Sequence, residues 1–92
     1  MKRYMYTIKD PNGMHARPAG ALAAFSKQFS SDIRVRAGEK EADAKRLLSI
    51  MSLGATHGTE LIFEIDGADE DTAAAELERF LTERFYEGKS QA

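Results

Sequence analysis

The hydrophobic pattern changes its period along this chain, and that change constrains the fold more than any other feature of the sequence. In segment 3–8 the side chains Tyr4, Tyr6 and Ile8 occupy every second position, which is typical of a β-strand with one buried face. Over Ala16–Phe29 apolar residues recur every three or four positions, which predicts an amphipathic helix. The chain therefore has to combine a sheet with helices.

The same two periods alternate through the middle of the sequence. Two short alternating runs, 33–37 and 41–44, lie on either side of Gly38 and predict a β-hairpin. The dense apolar run Lys45–Leu53 predicts a short helix, and Gly54 follows it at the position where a left-handed cap is easiest.

The last third of the chain repeats the pattern once more. Thr59–Asp66 alternates like a strand. Asp69, Glu70 and Asp71 then supply an N-cap and negative charge for a final helix. The apolar stripe of that helix consists of Ala73, Leu77, Phe80, Leu81 and Phe85. The order βαββαβα predicts an α+β fold, in which a mostly antiparallel sheet has its helices packed on one face.

Size and composition narrow the possible functions. The chain has 92 residues, no cysteine and a formal net charge of −2, so we expect one domain over 1–92 with a flexible tail at 88–92. The lack of cysteine excludes disulfides and thiolate metal sites, and fits a cytoplasmic location. The charge argues against a nucleic-acid partner. No segment approaches the roughly 18 apolar residues of a membrane span, so we expect no membrane insertion.

One segment combines a titratable side chain, a loop and a helix start: Gly13-Met14-His15-Ala16-Arg17-Pro18. His15 precedes backbone N–H groups that have no partner inside the helix, and these groups favour negative charge in front of them. A neutral imidazole at this position is a nucleophile, and a phosphoryl group bonded to it would carry that charge. Arg17 could pair with phosphate oxygens, and Pro18 stiffens the first turn. A simpler interpretation stays open here, in which His15 is a polar capping residue and Arg17 is solvated.

Two stretches of the sequence resemble a known family. The segment Asn12-Gly13-Met14-His15-Ala16-Arg17-Pro18-Ala19 and the run Ile50-Met51-Ser52-Leu53-Gly54 resemble HPr, the histidine-containing phosphocarrier family of the bacterial phosphoenolpyruvate:sugar phosphotransferase system. The resemblance covers nearly the whole chain without an obvious insertion. It implies an open-faced β-sandwich, in which a four-stranded antiparallel sheet is covered on one face by three helices.

The resemblance also implies roles for individual residues. His15 would take a phosphoryl group on Nδ1 from phosphorylated enzyme I and pass it to a histidine of an enzyme IIA. Arg17 would assist the transfer, while the backbone amides of Ala16 and Arg17 would help to hold the phosphoryl oxygens beside Pro18. The protein would be a carrier rather than an independent enzyme, and it would need no metal or organic cofactor.

The short helix Lys45–Leu53 has more apolar residues than one core-facing stripe needs, so some of them should remain exposed. In the family, this helix and the start of the first helix face both partners, and Arg17 and other basic residues around them could steer acidic partners. The alternative is that Leu47 and Leu48 complete the core. The implied docking surface consists of Gly20, Lys45, Arg46, Leu47, Leu48 and Met51.

Arg46 is the clearest departure from the family. Many relatives carry a serine there, and in some lineages a kinase phosphorylates it. An arginine offers no hydroxyl, so this control is not expected here. Two alternatives to sugar transport stay open: a regulatory phosphorelay, nitrogen-linked or serving a dihydroxyacetone kinase, and a non-catalytic binding module with the same fold. His57 is read as a surface residue, and Asp69 and Asp71 as a helix cap rather than a metal site. Docking to two partners in turn favours a monomer.

Overall fold

The computed structural model describes residues 1–85, apart from the side chain of residue 84. The predicted flexible tail, 88–92, lies outside the described residues. One antiparallel sheet with the strand order β1-β4-β2-β3 is formed by β1 (Lys2–Thr7), β2 (Asp32–Ala37), β3 (Lys40–Asp43) and β4 (Glu60–Asp66). The helices are α1 (Ala16–Ser26), α2 (Leu47–Met51) and α3 (Glu70–Phe80), and a π-helical turn over Leu81–Phe85 extends α3.

The two faces of the sheet differ in chemistry. Phe63 of the central strand β4 pairs with Tyr4 of β1 and with Val35 of β2, and its side chain is fully buried beneath the helices. On the opposite face, Arg3 donates to the Glu64 carboxylate at 2.9 Å. Because one face is apolar and covered while the other is charged and open, the fold is the α+β open-faced sandwich that the sequence predicts.

The helices bury the stripes that their spacing predicts. Leu22 of α1 and Leu77 of α3 are fully buried, and each such side chain stabilises the fold by about 2 kcal/mol. Phe25 of α1 stacks on Phe80 of α3, with ring centroids 4.6 Å apart and planes inclined by 9°. All five stripe residues predicted for the last helix are buried, namely Ala73, Leu77, Phe80, Leu81 and Phe85.

The first helix is shorter than its predicted range, Ala16–Phe29. It ends at Ser26, because the chain tightens there: the Gln28 N–H donates to the Phe25 carbonyl at 3.1 Å instead of continuing the α-helical pattern. The Phe29 carbonyl accepts a hydrogen bond from Lys45 Nζ at 2.8 Å. A contact from a distant part of the chain therefore occupies the predicted end of the helix.

The second helix is also shorter than predicted. It covers Leu47–Met51 with Arg46 as its N-cap, so Lys45 lies before it. The Lys45 N–H donates to Asp43 Oδ1 at 2.9 Å, and the Arg46 N–H donates to the Asp43 carbonyl at 3.0 Å. These bonds form a turn after β3 and delay the start of the helix.

The last helix begins at the predicted N-cap, but the side chain of that residue binds elsewhere. Asp69 is its N-cap, but its carboxylate does not cap the helix; it accepts the N–H groups of Ser30 and Ser31, each at 3.0 Å, and the Ser31 hydroxyl. At the other end, the Thr82 hydroxyl donates to the Glu78 carbonyl at 2.8 Å. The α-helix ends at Phe80 and gives way there to the π-helical turn.

Candidate functional site

His15 lies at the N-cap of α1 with an extended backbone, φ −94° and ψ −173°. Its carbonyl accepts the N–H of Ala19 at 3.0 Å, which is the first hydrogen bond of the helix. Its side chain makes no capping hydrogen bond, and Pro18 has no N–H. The backbone N–H groups of Ala16 and Arg17 therefore have no acceptor within the helix and form the positive end of its dipole beside His15.

The turn before α1 is attached to the connection between α2 and β4. The Met14 N–H donates to the Ala55 carbonyl at 3.0 Å, and the Met14 side chain is buried. Gly13 has a left-handed φ of +69°, and a Cβ built on it would lie 2.8 Å from the Ala55 oxygen and from Thr56 Cα. Only glycine allows this approach without strain. Gly13 therefore sets how close the turn before α1 comes to the connection between α2 and β4.

A carboxylate that sequence reasoning misses faces the ring of His15. Asp10 Oδ2 lies 3.2 Å from His15 Nε2, and the two side chains are 22% and 37% exposed, so solvent screens the pair only in part. The other carboxylate oxygen of Asp10, Oδ1, accepts the Asn12 N–H at 2.8 Å. The signal available in the sequence is the turn itself, because an aspartate at the first position of such a turn commonly accepts a hydrogen bond from the backbone N–H two residues on.

Three groups lower the pKa of Asp10 below its ordinary value. The backbone N–H of Asn12 has the largest effect, followed by the hydrogen bond and charge of His15 and then by the positive charge of Arg17. All three favour the ionised carboxylate. Arg17 is exposed and lies near enough to act on Asp10, so the structure brings together His15, Arg17 and an acid that the motif does not include.

The short helix α2 exposes large apolar side chains. The exposed fractions are 39% for Leu47, 78% for Leu48 and 37% for Met51, whereas Ile50 between them is fully buried. The alternative that Leu47 and Leu48 complete the core is therefore excluded. α2 packs against α1, where Gly20 has open space around its Cβ position.

The basic residues predicted beside this apolar surface differ from one another. Arg46 is exposed at the N-cap of α2. Lys45 is half-buried, and its ammonium donates to the Phe29 carbonyl at 2.8 Å, which directs that charge to the main chain.

His57 is exposed in the turn before β4. Among residues 1–85, no group of three or more acidic or histidine side chains could hold a metal ion, and no helix is long and apolar enough to cross a bilayer.

Comparison with known proteins identifies the family. A family profile described as "PTS HPr component phosphorylation site" matches residues 3–83. The phosphocarrier protein HPr of Lysinibacillus sphaericus is 42% identical over 83 residues, which cover 90% of this chain and 94% of that protein.

Solved structures agree. A crystal structure of HPr-C-His from Thermoanaerobacter tengcongensis superposes with a TM-score of 0.85 at 35% identity, covering 92% of this chain and 96% of that one. A structure described as an HPr dimer from the same organism superposes with a TM-score of 0.71, also at 35% identity, covering 92% of this chain and 98% of that one. With the profile, the relatives and the fold in agreement, the chain belongs to the HPr family, the phosphocarrier proteins of the phosphotransferase system.

Proposed function

We propose that His15 is the phosphoryl acceptor of this phosphocarrier, that the donor is phosphorylated enzyme I, and that the recipient is a histidine of an enzyme IIA. The observation that carries the proposal is the imidazole at the N-cap of α1, which leaves the first amides of the helix without a side-chain cap. A dianionic phosphoryl group on the ring would be stabilised by those amides and by the helix dipole.

The neighbouring residues have distinct tasks in this proposal. The backbone N–H groups of Ala16 and Arg17 hold phosphoryl oxygens, and Pro18 keeps the first turn of α1 rigid without adding a further donor. The Arg17 guanidinium stabilises the charge that spreads over the equatorial oxygens during transfer. The donor phosphohistidine already carries an activated phosphoryl group, so the chain acts as a carrier and needs neither a metal nor an organic cofactor.

We infer that the exposed apolar residues of α2 and the start of α1 form the docking surface for both partner proteins. Leu48 supports this most strongly, because a leucine that is 78% exposed loses unfavourable contact with water when a partner covers it. Arg17 lies in the first turn of α1 and Arg46 is the N-cap of α2. Both would attract acidic partner surfaces. The proposed surface consists of Gly20, Lys45, Arg46, Leu47, Leu48 and Met51.

The proposal extends to the state of the protein in the cell. We expect a cytoplasmic protein with one domain over 1–92. We also expect a monomer, because the same face has to bind two partners in turn. A relative is described as a dimer, so the mass of the protein in solution, measured by light scattering, tests this expectation: a dimer at working concentration would contradict it.

Labelling with phosphoenolpyruvate and enzyme I tests the function. The wild type should acquire one acid-labile phosphoryl group, whereas His15→Ala should acquire none. His57→Ala is the matched control, because it removes the other histidine of the chain and should be labelled like the wild type. Arg17→Ala should still be labelled, but about tenfold more slowly, because transition-state charge loses its partner. A label that persists in His15→Ala would reject His15 as the acceptor.

A further inference from the structure

The turn before α1 holds a carboxylate against one particular nitrogen of the His15 ring. Asp10 Oδ2 lies 3.2 Å from Nε2, while Nδ1 has no hydrogen-bond partner within the described part of the chain. We propose that Asp10 is a positioning residue that keeps the ring proton on Nε2 and so reserves Nδ1 for the phosphoryl group. This inference rests on the proposed function of His15 and names what selects the reacting atom.

The turn determines which way Asp10 presents its oxygens. Oδ1 accepts the Asn12 N–H at 2.8 Å, and the Asp10 carbonyl accepts the Gly13 N–H at 2.9 Å. With Oδ1 and the backbone occupied in this way, Oδ2 is the oxygen that faces His15. An ionised carboxylate can only accept a hydrogen bond, so a neutral ring must donate from Nε2 and carry its lone pair on Nδ1.

The same contact assists the chemistry in both directions. During loading, the Nδ1 lone pair attacks the phosphorus of a phosphohistidine on the donor protein. The Nδ1–P bond forms as the donor N–P bond breaks, and the electron pair of the broken bond stays on the donor ring. The ring of His15 then carries a positive charge, because Nδ1 is bonded to phosphorus and Nε2 keeps its proton. The neighbouring Asp10 carboxylate stabilises this charge.

During unloading, the electrons of the Nδ1–P bond return to Nδ1 as the phosphoryl group moves to the acceptor nitrogen. The ring leaves as a neutral imidazole, because Nε2 has kept its proton. A neutral imidazole is a better leaving group than an imidazolate anion, so a carboxylate that retains the Nε2 proton favours release as well as uptake. No further reactant is needed.

Asp10→Asn separates the position of the side chain from its polarity. The amide oxygen can still accept the Asn12 N–H, so the turn is preserved and the amide NH₂ group takes the place of Oδ2. That NH₂ group can only donate, so Nε2 has to accept and the ring proton moves to Nδ1. Asp10→Ser is the second variant, because its hydroxyl also accepts within the turn but leaves Nε2 without a fixed partner.

Two measurements read the effect. Nitrogen-15 spectra of the ring, recorded on the unphosphorylated protein at a pH above the imidazole titration, should show Nε2–H in the wild type, Nδ1–H in Asp10→Asn and a mixture in Asp10→Ser. The kcat for phosphoryl transfer from phosphorylated enzyme I should fall about tenfold in Asp10→Asn with KM little changed, and by less in Asp10→Ser.

Asp32→Asn is the matched control. It makes the same substitution at the start of β2, beyond the C-terminal end of α1, and should change neither the spectrum nor the rate. The inference is overturned if Asp10→Asn retains Nε2–H or transfers phosphoryl as fast as Asp32→Asn. A wild type that takes no label on histidine would overturn the proposed function, and the inference with it, so the two failures are distinguishable.

Discussion

Gly13 controls how the turn that carries Asp10 meets the connection between α2 and β4. Its φ of +69° and the 2.8 Å approach to Ala55 and Thr56 are separate requirements, because the first concerns the local backbone and the second a distant segment. The same turn orients His15, since the Met14 N–H bonds to Ala55. A residue without a side chain therefore positions the ring that we propose to carry the phosphoryl group.

Two glycine substitutions separate these requirements. Gly38 also has a left-handed φ, +63°, but nothing lies within 4 Å of its Cβ position, so Gly38→Ala should cost only about 1 kcal/mol for backbone strain. Gly13→Ala adds steric overlap with the main chain and should cost about 3 kcal/mol. Urea unfolding of both variants measures the difference. Equal losses would mean that the contact with Ala55 and Thr56 relaxes at no cost.

At the scale of elements, α2 combines two tasks within five residues. Ile50 is fully buried, while Leu48 is 78% exposed. A helix this short has little stability of its own, so the buried residue must hold it on the core while the exposed residues are available to partners. The late start of the helix, after the turn made by Asp43, leaves Arg46 at its N-cap beside the apolar patch.

Alanine substitutions at two positions of α2 should therefore affect different properties, binding at one and stability at the other. Leu48→Ala should change the free energy of unfolding by less than about 0.5 kcal/mol but weaken binding to enzyme I about tenfold, because an apolar anchor is lost. Ile50→Ala should cost about 3 kcal/mol of stability through a core cavity. Denaturant unfolding and calorimetric titration with enzyme I measure the two effects. Undiminished binding by Leu48→Ala would exclude this patch from the docking surface.

At the scale of the whole molecule, chemistry and stability are placed in different regions. The open face of the sheet carries ion pairs such as Arg3 with Glu64, which contribute little to stability because water surrounds them. The covered face supplies the core. Asp69 connects the start of α3 to Ser30 and Ser31 before β2, while Asp10 acts in the turn before α1. Both carboxylates accept these hydrogen bonds more strongly when they are ionised.

These two carboxylates contribute to the pH dependence of stability, as does Glu70, whose pKa is lowered first by its hydrogen bond with the N-terminal ammonium group. The pKa of Asp69 is lowered from 3.8 first by the Ser31 hydroxyl and then by backbone N–H groups, and the pKa of Asp10 is lowered first by the Asn12 N–H. A lowered pKa means that the stabilisation is complete above the unfolded-state value and is lost as the pH falls through the folded-state value.

We therefore expect the urea midpoint to be nearly constant from neutral pH down to about 5 and to fall below about 4. Asp69→Asn should lower the midpoint at neutral pH and flatten the decline in acid, because one of the titrating carboxylates is gone. Asp32→Asn provides the charge control. A midpoint of Asp69→Asn that follows the wild type at every pH would contradict the role of this carboxylate.

The sequence by itself determined the order of the elements, the face that each one buries and the position of His15 at a helix start. Tyr6 and Leu77 illustrate why: a period of two or of three to four residues is a local property, and burial of one face follows from it wherever the element packs. The motif around His15 also sufficed to indicate the family, since its residues are contiguous.

Only the tertiary structure decided what occupies the predicted end of α1, what the Asp69 carboxylate binds and which nitrogen of His15 faces Asp10. Lys45 bonds to the carbonyl of Phe29, and Asp69 bonds to Ser31 across 38 positions. Such contacts depend on where the folded chain brings distant donors and acceptors together, and a helix ends where these groups satisfy its backbone better than another helical turn would. The Asp10–His15 contact is local in sequence, but it needs the angle of a turn that Gly13 and Ala55 hold in place, and no periodicity encodes that angle.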